Sequence, residues 1–173
     1  MEILQDHNEW LIINKPSGLS VHNSEDEENV LTLLDSLGYL DFSPVNRLDK
    51  ETSGIMILSK SSDYTQVLQK ALAEESTQKK YLAVVKGTFK QDEKEGGWSE
   101  PLTNKAEGRK NPLGVKKNRV KCMSKYKVLS ENKYLSLLEV SIFSGRQHQI
   151  RKHSVHSKHQ IIGDKRSGDK KFN

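Results

Sequence analysis

Arg47 and Asp49 stand one residue apart in the run Asn46-Arg47-Leu48-Asp49. In an extended backbone successive side chains leave opposite faces, so the guanidinium and the carboxylate would share one surface while Leu48 points to the other. A neighbouring cation lowers a carboxylate's pKa and keeps its anionic, nucleophilic form populated, so the pair fits a reactive aspartate. The same spacing fits a plain turn, in which Asp49 accepts from the backbone near Glu51 or Thr52. Judged by spacing alone, the turn is the better reading.

Two further groups could carry chemistry. On a helix starting at Gly145, His148 and Arg151 lie three apart and share a face that Val155 extends. A buried Arg151 would need a carboxylate, and Asp49 is the natural candidate; the usual place of an arginine is the surface. His148, His153, His156 and His159 invite a metal reading, but no His-Glu-x-x-His pattern accompanies them and Cys122 is the only cysteine. With Arg151, Lys152 and Lys158 among them, they are read as facing phosphates or as solvated, and no metal is expected.

The elements that must position these residues follow from periodicity. Trp10 to Asn14 reads as a strand stopped by Lys15-Pro16-Ser17-Gly18, and the acidic run Glu25 to Glu28 precedes a short helical pattern from Val30 to Leu37, ended by Gly38. After Pro44 an extended stretch leads through Asp49 and a turn at Thr52-Ser53-Gly54 to a central strand, Ile55 to Leu58. Tyr64, Val67, Leu68, Ala71 and Leu72 have helical spacing behind the caps Ser61, Ser62 and Asp63. Lys80 to Val85 is a strand, on which Tyr81, Ala83 and Val85 share a side, so Tyr81 alone reads as a core tyrosine. From Lys90 to Lys127 long loops and a short hairpin are expected, then a strand from Tyr134 to Phe143. Ser144-Gly145-Arg146-Gln147 fits a capping box for a helix running toward Val155. Strands and helices do not alternate as in a doubly wound sheet, so the class is α+β.

Composition narrows the partners. At 173 residues the chain fits one domain with a real core. Residues 1–95 hold 10 Lys/Arg against 17 Asp/Glu and the remainder 18 against 6, a swing from about −7 to +12. Such asymmetry suits a polyanion-binding face, because lysine and arginine gain affinity from phosphates by releasing condensed counterions; a solvated basic loop has similar weight. The stretch Arg109-Lys110 through Lys116-Lys117, Arg119, Lys121, Lys125 and Lys127 supplies much of that charge. One cysteine forbids an intramolecular disulfide, and neither a leader nor a membrane-length apolar run is visible, so a cytoplasmic protein with no membrane partner is expected. Glycine-rich nucleotide motifs are missing, which ranks a nucleotide-cofactor enzyme last.

Four segments in order resemble the RluA family of pseudouridine synthases. Asn14-Lys15-Pro16-Ser17-Gly18-Leu19 resembles its first motif, and Arg47-Leu48-Asp49-Lys50-Glu51-Thr52-Ser53-Gly54 its Arg-Leu-Asp-x-x-Thr-Ser-Gly motif. Lys79 to Gly87 resembles its tyrosine motif, and Gly145-Arg146-Gln147-His148-Gln149-Ile150-Arg151-Lys152-His153 its Gly-Arg-x-His-Gln-(Ile/Leu)-Arg-x-His motif. Within the family the likeness is nearest to the tRNA pseudouridine synthase C branch, through Arg151-Lys152-His153 and the ending Ile161 to Asp169. Asn46 stands where the family often has histidine.

The resemblance implies a pseudouridine synthase catalytic fold: a mixed, mostly antiparallel sheet with flanking helices and a central cleft. It implies isomerisation of a uridine in tRNA, or else rRNA, with no cofactor. Asp49 matches the catalytic aspartate, Tyr81 the tyrosine that packs on the target base, and Arg151 the basic residue pairing with the aspartate. Arg47 matches a residue implicated in opening the RNA, and His148 and Ile150 fall in the substrate-binding motif. One catalytic domain over 1–173 is expected, stopping where relatives usually continue with a further strand and helix. No separate N-terminal RNA-binding domain and no protein partner are expected, and the chain is taken as a monomer. The alternative is a catalytically inactive RNA-binding protein of the same fold.

Overall fold

The structure, a computed structural model, describes residues 1–22, 28–74, 76–105, 107 and 110–168. Acidic residues 25–27, Arg109 and the tail from 169 onward, which entered the reading above, lie outside the described residues. The chain divides into two compact units, Met1–Glu74 and Glu75–Asn173. The first holds 5 Lys/Arg and 13 Asp/Glu and the second 23 and 10, so the change of charge falls at the structural boundary.

The first unit contains β1 (Glu2–Asp6), β2 (Trp10–Lys15), α1 (Val30–Ser36), β3 (Ser43–Pro44), β4 (Gly54–Ser59) and α2 (Ser62–Ala73). Its sheet runs β1-β2-β4-β3, with β2 and β4 in register from Trp10↔Ser59 to Lys15↔Gly54. Leu11, Ile13, Met56 and Leu58 alternate inward and meet Val30 and Leu34 of α1; all six are fully buried. Each such aliphatic side chain contributes about 2 kcal/mol through burial. Asn29 caps α1 by accepting from the amides of Leu31 and Thr32, while the Thr32 hydroxyl accepts from the Asn29 amide. The apolar spacing locates α2 correctly, but no residue of this helix is fully buried, and Val67 is 63% exposed.

The second unit contains β5 (Lys79–Lys86), β6 (Glu95–Trp98), β7 (Ser124–Glu131), β8 (Leu135–Ile142) and α3 (Gln149–His156). Its sheet runs β5-β8-β7-β6 around Ala83, Val85, Phe89, Trp98, Leu138, Val140 and Ile142. The α+β class holds. Every strand ladder among the described residues is antiparallel, in two four-stranded sheets. Parallel pairing is limited to the isolated bridge Ser20↔Asn29. β6 and the start of β7 occupy part of the stretch expected as loops and a short hairpin. Ser124, Tyr126 and Val128 turn toward the core while Lys125 and Lys127 face outward, a two-residue period that the lysines disguise. A Cβ at Gly96 of β6 would lie 2.7 Å from the Tyr126 hydroxyl oxygen, so a side chain there would require the tyrosine ring to move.

The sheet edges are irregular. β1 shifts register between Ile3 and Gln5, β3 is two residues long and ends at Pro44, and β6 carries two glycines with Glu95 paired to Lys127 at 2.7 Å. Beside β5, the amide of Lys86 donates to Gln160 and that of Ile162 to Val84. No helix among the described residues is long and apolar enough to cross a membrane.

α3 departs from expectation at its start and in its packing. It begins at Gln149, not Gly145, because the Ser144 hydroxyl donates to the Gln149 side chain at 2.9 Å and caps no helical amide. His148 becomes the N-cap residue in the left-handed region, φ 56°, a conformation costing roughly 1 kcal/mol for a residue with a Cβ. The buried residues of the helix are Gln149, Lys152, His153 and Ser154, all polar. Gln149 Nε2 donates to the Met123 carbonyl and the Ser124 hydroxyl, and Lys152 Nζ donates to the Thr103 carbonyl at 2.6 Å. His153 Nε2 lies 3.0 Å from the Glu100 carbonyl and Nδ1 2.9 Å from the Ser124 hydroxyl. A carbonyl only accepts, so Nε2 carries the proton and Nδ1 accepts. This corrects the reading of His153 as solvated or phosphate-facing: it and Lys152 both serve the protein's own backbone. His159 is also drawn inward, stacked on Phe89 at 3.9 Å, whereas His156 stays exposed.

Burial pushes the pKa of His153 down, partly offset by the Glu100 carbonyl, so the folded protein favours the neutral ring. The associated stability is complete above the unfolded value of about 6.5 and is lost as pH falls through the lower folded value. Urea unfolding midpoints are expected to drop between pH 7.5 and 5, with a shallower drop in His153→Asn.

Candidate active site

In the first unit the Asp49 loop is fixed by its own main chain and by the first motif. Leu48 packs against the core and is partly buried, as is Asp49, while Arg47 is exposed; residues 46–49 belong to no strand. The Thr52 amide donates to the main-chain carbonyl of Asp49 at 3.0 Å, so a backbone bond closes this turn. Asn46 is anchored from the other side: its Oδ1 accepts from the Ile57 amide at 2.8 Å, while the Val45 amide donates to the Ile57 carbonyl. The side-chain amide thus continues the β4 ladder past the end of β3.

Lys15 is the functional residue the sequence reading left without a role. It is wholly buried at the end of β2, and its ammonium donates to the carbonyls of Pro16 (2.8 Å), Leu19 (2.7 Å) and Lys50 (3.1 Å). Beside it the Gly18 amide also donates to Lys50, and the Ser17 hydroxyl to the Glu51 carbonyl at 2.6 Å. Gly18 has φ +87°, a turn that residues with a Cβ rarely adopt. Five hydrogen bonds therefore organise the loop of the first motif and fasten it to the two residues after Asp49. Burial lowers the Lys15 pKa, and Glu51 and Asp49 act in the opposite sense. The signal available in sequence was a lysine closing an apolar strand, a position where burial forces every donor to find a carbonyl.

The second unit holds the other expected site residues. Tyr81 sits on β5 opposite Val140, on the side of Ala83 and Val85, and packs against the second core while remaining partly exposed. Ile150 packs against the same core. Arg151 is held by a two-toothed contact to Asp164, Nε to Oδ2 at 2.9 Å and Nη2 to Oδ1 at 2.8 Å. Asp164 Oδ1 also accepts from the amides of Arg166 and Ser167 at 3.0 Å. Burial alone would raise the Asp164 pKa, but Arg151 and those amides outweigh it and hold the carboxyl below its usual range. The sequence reading nominated Asp49 as the carboxylate for Arg151; Asp164, thirteen positions along the chain, is a carboxylate it missed.

The basic stretch divides by partner. Lys110, Lys116, Lys117 and Lys121 are exposed, Lys125 lies over the Phe143 ring, and Arg119 turns back to the Gly114 carbonyl through Nε and Nη2. Among the described residues, no three His, Cys, Asp or Glu side chains converge as a metal site.

The sequence profile described as RNA pseudouridylate synthase matches residues 9–156, a span that includes Lys15, Asp49, Tyr81 and Arg151. The chain belongs to the RNA pseudouridylate synthase family. One relative, the ribosomal large subunit pseudouridine synthase C of Buchnera aphidicola, is 36% identical over 180 residues, covering 98% of this chain and 55% of its own. The tRNA pseudouridine synthase C of Vibrio parahaemolyticus is 30% identical over 190 residues, covering all of this chain and 76% of its own. This chain spans about half the length of the first of these. Among solved structures, human RNA pseudouridylate synthase domain containing 4 superposes with a TM-score of 0.74 at 26% identity, over 94% of this chain and 67% of its own.

Lys15→Met would take the ammonium donor from the Pro16 and Leu19 carbonyls and leave Lys50 only the Gly18 amide, and is expected to destabilise the protein by about 2–4 kcal/mol in urea unfolding. Asp164→Ala removes the two-toothed partner of a largely buried guanidinium and is expected to cost about 3 kcal/mol, read the same way.

Proposed function

We propose that this protein converts a uridine of tRNA to pseudouridine, with Asp49 as the catalytic carboxylate. The observation that carries the reading is the loop bearing Asp49, a family motif whose main chain is tied to the buried Lys15 of another family motif. The reaction breaks the bond from N1 of uracil to C1′ of ribose and forms one from C5 to C1′. The C5 proton is released and N1 gains one, so no atom is added or removed. Neither an oxidant nor an acceptor is required.

A uridine in a stem cannot be reached while stacked, so the base must leave the helix, which costs a few kcal/mol of unstacking. Arg47, exposed beside Asp49, is assigned to the vacated stack, and Tyr81 to the face of the extruded base. His148 and Ile150 are assigned to substrate contact, and Arg151, oriented by Asp164, to charge balance for Asp49. Phosphates supply the affinity through the basic second unit.

Large-subunit rRNA is the second reading, favoured by the name of the relative from Buchnera aphidicola. Release of tritium from C5-labelled uridine distinguishes them: bulk tRNA is expected to release label and rRNA not, and the reverse result selects rRNA. Asp49→Asn is expected to lower release by at least about 10³-fold, as removal of a group acting directly on the reacting nucleoside does, with RNA affinity within a factor of about three. Affinity for RNA with no release from either by the unaltered protein would favour an inactive RNA-binding protein.

A further inference from the structure

Arg146 is the exception in the polar accounting of the second unit. Its residue is partly buried and its Nε is closed off from solvent, yet that Nε has no hydrogen-bond partner. No carboxylate among the described residues pairs with this guanidinium. The two other partly buried arginines described in this unit behave differently: Arg119 donates to the Gly114 carbonyl and Arg151 to Asp164. Arginine stays charged at any physiological pH, and this one, with its Nε enclosed and no counter-charge beside it among the described residues, leaves its terminal nitrogens to an anion from outside.

The backbone around it is prepared for such a ligand. The Arg146 amide donates to Gln149 Oε1 at 3.2 Å, and the Gln147 amide to Asn104 Oδ1 at 3.1 Å. Gln149 is itself fully engaged, accepting from Ser144 and donating to Met123 and Ser124. The main chain from which the side chain leaves is therefore held on both sides.

We infer that Arg146 binds a backbone phosphate of the RNA, its two terminal nitrogens gripping two phosphate oxygens. The inference rests on the proposed RNA substrate and adds a contact which that reading did not assign. A guanidinium matches a phosphate in this two-toothed manner, whereas an ammonium meets it as a point charge. Because the phosphate takes no part in bond making, the contact acts on affinity and leaves the chemical step largely alone.

The test is tRNA binding by the full chain across about 50 to 200 mM salt, with Arg146→Gln and Arg146→Lys beside the unaltered protein. Arg146→Gln is expected to bind about tenfold more weakly at low salt. It should also lower the slope of log affinity against log salt by about 0.7 to 0.9, the amount expected when one phosphate fewer is neutralised. Arg146→Lys is expected to keep the slope and bind several-fold more weakly, and tritium release at saturating tRNA should stay within about threefold in both. An unchanged slope in Arg146→Gln overturns the inference, as does full affinity in Arg146→Lys; the lysine variant decides the matter if the glutamine variant does not fold. Should the unaltered protein bind neither tRNA nor rRNA, the RNA reading falls and the phosphate grip with it. If it binds and only the slope prediction fails, the RNA reading stands.

Discussion

A lysine with no exposed surface holds the loop that carries Asp49. Removing an ammonium from water is unfavourable by several kcal/mol unless its donors are met, and Lys15 meets this demand with three main-chain carbonyls. Two of these belong to its own strand end and one to Lys50, next to Asp49 in sequence. A short-range turn and a contact across thirty-five positions are thus closed by one charge. Because backbone carbonyls are present whatever the side chains, residues at 16, 19 and 50 can vary without loosening the grip. The ammonium itself cannot be replaced by an apolar group without stranding the Pro16 and Leu19 carbonyls and leaving Lys50 to the Gly18 amide alone.

The second unit solves a similar problem with a different device. α3 buries a polar face, and its acceptors are carbonyls and one hydroxyl in the segment from Glu100 to Ser124. Apolar packing would tolerate small rotations of the helix; directional bonds to fixed carbonyls do not. The orientation of Ile150 and Arg151 is therefore set by residues beside them that do no chemistry. Asp164 adds the last constraint by fixing both the reach and the plane of the Arg151 guanidinium.

What could be read in the sequence was whatever rests on local periodicity or on contiguous motifs. β2, α1, α2, β5 and β8 lie where the apolar spacing put them, to within a residue or two, because alternation and helical stripes are properties of neighbouring residues. β1 and β7 escaped, the first for want of a strong apolar pattern in Glu2 to Asp6 and the second because lysines fill its outer face. The start of α3 was misplaced since Ser144 serves a side chain, a choice made by tertiary packing. The family motifs brought Asp49, Tyr81 and Arg151 to notice, but not their supports. Lys15 and Asp164 act through long-range contacts with main chain or with one distant side chain, and nothing in the spacing of residues announces those.

The irregular sheet edges carry a consequence for how the molecule behaves in a crowded solution. An open strand offers unpaired amides and carbonyls on which another chain can grow a cross-β contact. Here a shifted register interrupts β1, proline ends β3, and paired glycines beside an acidic residue weaken β6 as a template. The side of β5 is partly taken by the chain itself near Gln160 to Ile162. Self-association by strand addition is thereby discouraged at each border, through backbone shape at three of them and through occupancy at the fourth.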